Sequence, residues 1–155
     1  MKKWFTLFGA ALLAFAVVSC GEAKAKKTKI GVSIPAADHG WTGGVIYSAE
    51  SAKKKLEAAN PDFEIIISTA RDASEQVNKI ENLLVQGVKA VVVLPQEPGP
   101  LTNVCDMAKQ QGVFLVTVDR GLEKPVQDVY VAGDNAGFGR TAAQALVQAL
   151  GGRGD

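Results

Sequence analysis

Short runs rich in β-branched residues alternate along the chain with longer segments of helical spacing. Lys29–Ile34 (KIGVSI), Phe63–Ser68 (FEIIIS), Lys89–Leu94 (KAVVVL) and Val113–Val118 (VFLVTV) are dense in valine and isoleucine. Runs of this length and composition predict strands buried on both faces of a parallel sheet. Asp128–Gly133 (DVYVAG) predicts a shorter fifth strand. Between the first two runs, Val45, Ala49, Ala52, Leu56 and Ala59 recur every three or four residues, the spacing of one helix face. A second helix starts at Asp72, with Glu75 placed as its capping partner, carries Val77, Ile80 and Leu84 as its stripe, and stops at Gly87. A third starts near Pro100 and ends at Gly112. The fourth, from about Asn135 to Leu150, aligns Phe138, Ala142, Ala145 and Ala149. The order β-α-β-α-β-α-β-β-α predicts an α/β fold: a doubly wound parallel sheet with helices on both faces.

The first residues carry a different signal. Lys2 and Lys3 precede an uncharged run from Trp4 to Val18. That run is shorter than the roughly 20 apolar residues of a membrane span and suits the core of a secretory signal. It ends in VVSC, which resembles the lipobox of bacterial lipoproteins. The resemblance implies a signal peptide over residues 1–19, cleavage before Cys20, and diacylglycerol on the Cys20 sulfur. Residues 20–27 then form a lipidated, polar tether that holds residues 28–155 at a membrane. Acyl chains contribute about 0.8 kcal/mol per buried methylene, so several together anchor stably. The alternative is an ordinary secretory signal in which the cysteine is a coincidence.

Cys105, the second cysteine, has no partner if Cys20 is lipidated, so a disulfide framework is excluded. Its place among Leu101, Val104 and Ala108 predicts a small buried thiol in preference to a nucleophile. Hydrophobic residues at 47% against 21% charged supply a core and exclude a disordered chain. A formal charge of +1, with no basic cluster interleaved with aromatics, argues against nucleic acid as a partner. At the other end, GGRGD stands where the alternation calls for a further strand. The final segment therefore looks cut before the alternation is finished. The RGD tripeptide resembles an integrin-binding motif, but three residues recur too easily by chance to carry a function.

Open α/β sheets bind ligands beyond the carboxyl ends of their strands. The loops expected there are PAADHGWTGG, TARDAS, PQEPG, DRGLEKP and GDNAGFG. They gather Asp38, His39, Trp41, Arg71, Asp72, Gln96, Glu97, Asp119, Arg120, Asp134 and Asn135 on one rim. A metal site finds little support in one histidine beside Asp38. No G-x-S-x-G marks a nucleophile, and neither G-x-G-x-x-G nor G-x-x-x-x-G-K-[ST] follows the first strand. An exported hydrolase or oxidoreductase is thus disfavoured, and no cofactor is expected. A sugar suits the rim better, since its C–H faces want an aromatic platform and its hydroxyls want planar polar partners. Trp41 supplies the first and the Asp119-Arg120 pair the second. Trp41 covering the sheet edge, and Asp119-Arg120 forming a surface ion pair, remain the structural alternatives.

KIGVSIP with its aromatic loop, LLVQGVKAVVVLPQEP, VFLVTVDRG and VYVAGDNAGFGRTAA together resemble the first lobe of type 1 periplasmic sugar-binding proteins. These are the ribose/galactose-type substrate-binding subunits of ABC transporters. The resemblance runs from about Lys29 to Gly151 and, because the family has two lobes, implies that residues 28–155 are the first with the second absent. It implies that Trp41 stacks on the sugar, that His39 meets a hydroxyl or only shapes its loop, and that Asp119 and Arg120 grip ring hydroxyls. It further implies that Gln96 or Glu97 contributes, and that Asp134 and Asn135 lie near the cleft and hinge. Ribose binders carry two consecutive aromatics in the first loop, whereas here Thr42 follows Trp41, which leaves the sugar open. The implied role is non-catalytic capture of a sugar for ABC permease subunits. A lobe presenting a sugar or furanosyl autoinducer to a membrane sensor is the alternative. Sugar-responsive regulators share the lobe but begin with a DNA-binding helix-turn-helix, which this chain's export signal replaces.

Overall fold

The computed structural model describes residues 26–152. The predicted alternation is present as β1 (Thr28–Pro35), α1 (Gly40–Ala59), β2 (Phe63–Ala70), α2 (Ala73–Val85), β3 (Ala90–Val93), α3 (Pro98–Gln110), β4 (Phe114–Val118), β5 (Val129–Val131) and α4 (Asn135–Ala149). All four strand pairings are parallel, in the order β2-β1-β3-β4-β5. The chain moves from β1 outward to β2, then crosses back over β1 to β3. Right-handed crossovers therefore put α1 on one face of the sheet and α2 and α3 on the other. The packing agrees, with α2 against α3, β1 and β2, and α1 against β1 and β2 from the other side.

The core fills the layer between the sheet and the α2–α3 pair. Ile80 and Leu83 of α2, with Leu101, Val104, Cys105 and Ala108 of α3, close over Val91, Val93 and Leu115. Gly31 lets α2 approach β1, because a Cβ there would lie 2.9 Å from Leu83 Cδ1. Along α2 the deepest residues are Ala73, Gln76, Ile80 and Leu83. The expected stripe of Val77, Ile80 and Leu84 is thus rotated, with Val77 and Leu84 flanking the core. The third helix begins at Pro98, two residues before the expected Pro100.

Three expectations need correction. The α1 stripe is not a buried face, since only Thr42 of that helix is fully buried and Ala52, Leu56 and Ala59 are exposed. The reason lies at Glu57, whose carboxylate accepts the Ile65 N–H at 2.7 Å. That N–H belongs to the free edge of β2, so the later turns of α1 cover an edge as well as a face. Nor are all strands buried on both faces. On the α1 side, Phe114, Val129 and Val131 remain 50%, 41% and 51% exposed, because α1 reaches only β1 and β2. Finally, α4 buries none of its residues and packs on no other described element, so its apolar stripe does not cover the sheet. Periodicity reports that a helix has an apolar face; it does not report what that face meets.

Removing core and non-core side chains should separate these regions. Ile80→Ala is expected to lower the unfolding free energy by about 2–5 kcal/mol, and Leu146→Ala on α4 to change it by less than about 0.5 kcal/mol. Urea unfolding measures both, and a comparable loss at Leu146 would contradict the packing described.

Candidate functional site

Because every strand is parallel, all five carboxyl ends lie on one rim. The chain leaves β1 toward one side and returns to β3 on the other, so strand order reverses between them. Crossovers there depart from opposite faces, their loops diverge, and a crevice opens. Ala36–His39 borders it from β1 and Leu94–Glu97 from β3.

His39 is the N-cap of α1. Its Nδ1 accepts the Thr42 N–H at 3.3 Å, and Thr42 Oγ1 accepts the His39 N–H at 3.4 Å, a reciprocal capping box. The Thr42 hydroxyl lies 3.0 Å from both Asp38 Oδ1 and the His39 carbonyl. That hydroxyl is the largest cause holding the Asp38 carboxyl below its ordinary value. With Nδ1 accepting, the proton of neutral His39 sits on Nε2, 3.6 Å from Asp38 Oδ1. One nitrogen therefore shapes the loop and the other faces Asp38. Trp41 follows in the first turn of α1 and is 49% exposed.

Across the crevice, Gln76 is fully buried on α2. Its Nε2 donates to Ser33 Oγ at 3.1 Å and to the Leu94 carbonyl at 2.9 Å, while its Oε1 accepts the Gln96 N–H at 2.8 Å. The Gln96 side-chain Oε1 is buried without a partner. Glu97 is the exposed N-cap of α3 and makes no side-chain cap bond. After β4, Asp119 adopts φ +63°, a left-handed conformation that costs a non-glycine residue roughly 1–2 kcal/mol. It is held by its N–H on the Val131 carbonyl at 2.7 Å and by Tyr130, whose hydroxyl donates to the Asp119 carbonyl at 2.8 Å. Arg120 Nη1 then donates to the Gln96 carbonyl at 3.0 Å.

Of the residues expected at the rim, the structure joins Gln96 to Arg120 and groups Asp38, His39 and Trp41 on the first loop. No hydrogen bond among the described residues links that loop to the loops after β3 and β4. The Arg120 guanidinium turns to Gln96, and the surface ion pair with Asp119 does not form. Asp134 caps α4, its Oδ1 accepting the Gly137 N–H at 2.8 Å, and Asn135 opens that helix at the far edge of the sheet from β1. Arg71 and Asp72 serve α2: Asp72 Oδ1 accepts the Glu75 N–H at 2.8 Å, and Arg71 Nε meets Glu75 Oε2 at 3.1 Å. Lys79 first, then Arg71, draws the Glu75 carboxyl down to about 2. Thr42, Gln76 and Tyr130 were not anticipated. Gln76 did leave a signal, as a polar residue on the spacing of a core stripe, whereas Tyr130 left none.

The chemistry available is hydrogen bonding by neutral and charged planar groups beside an aromatic ring. Among the described residues no three His, Cys, Asp or Glu side chains cluster to hold a metal. Cys105 is buried as expected, and burial pushes its thiol up to about 12, so it stays protonated at neutral pH. Cys20 and the RGD tripeptide extend outside the described residues.

Residues 30–155 match the model of the periplasmic binding protein domain family. The chain belongs to this family. Among periplasmic binding proteins, it is 27% identical over 151 residues to the ribose import binding protein of Haemophilus influenzae, a match covering 97% of this chain and 49% of that protein. It is 33% identical over 95 residues to the D-xylose-binding periplasmic protein of Escherichia coli, covering 61% of this chain and 28% of that one. The fold superposes on an ABC transporter solute-binding protein from Clostridium phytofermentans with bound β-D-glucose, at a TM-score of 0.71 and 25% identity, over 80% of this chain and 37% of the other. The chain thus spans half or less of the length of these relatives.

Proposed function

We propose that this periplasmic binding protein captures a sugar for an ABC-type importer, without catalysis, in the crevice between β1 and β3. The clasp of Arg120 on the Gln96 carbonyl carries this reading, because it presents a planar cation from β4 at the edge of the crevice. Trp41, half exposed in the first turn of α1, is assigned the stacking platform. His39 Nε2 and Asp38 offer a donor and an acceptor beside it. Asp119, Gln96 and Glu97 are assigned to the ring hydroxyls. Asp134 and Asn135, which form the start of α4, are assigned to a hinge. Relatives named for ribose and D-xylose, and a neighbour holding glucose, support a monosaccharide as the ligand. Residues 28–155 supply one wall of the site, and a second lobe supplies the other.

The same proposal covers location. Residues 1–19 act as an export signal, and acyl chains on Cys20 hold the domain at the membrane beside its permease partners through the 20–27 tether. Labelled palmitate should enter the wild-type protein and be lost in Cys20→Ala; undiminished label in that variant would exclude the anchor.

Titration calorimetry of the full-length protein, with both lobes, against pentoses and hexoses should give saturable heat for at least one of them. Trp41→Ala is expected to weaken that affinity by about tenfold or more, the loss of one stacking face and its buried area. An affinity equal to wild type in Trp41→Ala would overturn the assignment.

A further inference from the structure

Gln76 is a polar residue in a core position, and all of its hydrogen-bonding capacity in the structure is directed at the crevice. It is fully buried, on the face of α2 that also carries Ala73, Ile80 and Leu83. A buried amide has two donor hydrogens and an acceptor oxygen to satisfy. Here the donors go to Ser33 at the end of β1 and to the Leu94 carbonyl just past β3. The oxygen takes the N–H of Gln96. Only this orientation works, since Leu94 offers an acceptor and Gln96 a donor. One side chain therefore spans the two strands between which sheet order reverses.

The consequence extends beyond Gln96. A peptide group is planar, and the two peptide planes that meet at Gln96 share its Cα. Fixing the Gln96 N–H anchors the Cα about which the following plane, which carries the Gln96 carbonyl, turns. That carbonyl accepts from Arg120 Nη1. Without the Gln76 amide, Leu94–Glu97 would retain the Leu94 N–H bond to the Ser33 carbonyl at 2.9 Å. It would lose the bond that fixes Gln96, and so the support under the guanidinium.

We infer that Gln76 is a positioning residue for sugar binding, acting through the Gln96 peptide to aim the Arg120 guanidinium into the crevice. It does not touch the sugar. The inference rests on the assignment of the crevice as the sugar site. It adds a determinant of affinity from the helix layer beneath the rim.

The test compares, in the full-length protein with both lobes, Gln76→Met, which keeps length and removes every bond, with Leu83→Ala. Leu83 lies on the same helix face about two turns further from the rim, so its loss destabilises the core without disturbing Gln96. Three readouts are taken on each: calorimetric sugar affinity, hydrogen exchange of the Gln96 amide, and the guanidinium NMR signals of Arg120. In Gln76→Met the Gln96 amide should lose protection, the Arg120 signals should shift, and affinity should fall about tenfold. Leu83→Ala should leave all three within twofold of wild type or unmoved, despite lower stability. Gln76→Glu, whose buried carboxyl in its neutral form keeps an oxygen for the Gln96 N–H and an O–H for the Leu94 carbonyl, provides a second variant. It should preserve amide protection and most of the affinity. Affinity lost in Gln76→Glu while the amide stays protected would overturn the inference. So would equal affinity losses in Gln76→Met and Leu83→Ala. No sugar heat from wild type would instead remove the sugar site itself, and the inference with it.

Discussion

An amide placed where a helix stripe would otherwise carry a leucine must find three partners away from water, and at Gln76 they lie on β1 and on the loop after β3. Leaving one such group unpaired costs about 1–3 kcal/mol. That penalty is what ties α2, β1 and β3 together at the carboxyl rim. The hydrophobic core supplies the bulk of the stability, but it is non-directional and sets no particular loop geometry. Directional bonds to Ser33, Leu94 and Gln96 do so, and they act at the one place where the sheet's topology opens a crevice.

The remaining rim is built by the same economy of backbone bonds. Asp119 holds its left-handed conformation because β5 grips it twice, through the Val131 carbonyl and the Tyr130 hydroxyl. The next residue, Arg120, is thereby turned toward Gln96. On the opposite lip, His39 and Thr42 exchange bonds that fix the first turn of α1 and with it the backbone of Trp41. Rigidity is concentrated in the supports. Trp41 and His39 remain about half exposed.

Much of this was legible in the order of residues. Val- and Ile-rich runs gave the strands, and the βα alternation gave a parallel sheet with its chemistry at the carboxyl ends. The Asp72 cap and the buried thiol of Cys105 followed from local pattern. What pattern could not supply was partnership. The α1 stripe was read as a core face, yet Glu57 turns the end of that helix to the edge of β2. The apolar positions of α4 are equally regular, yet they meet no other described element. His39 was read as a hydroxyl partner or a shaper of its loop, and its capping bond with Thr42 is invisible until the chain turns. The pairing of Gln96 with Arg120 joins residues far apart in sequence, which no local spacing encodes.

Under the proposed function a sugar enters between the carboxyl ends of β1 and β3. Backbone amide shifts of the labelled protein, followed by NMR as a bound sugar is titrated, test it most directly. The largest changes should fall at His39–Thr42, at Gln96, and at Asp119 and Arg120. Changes confined to Gly87–Lys89 and Gly112–Phe114, at the amino ends of β3 and β4, would contradict it.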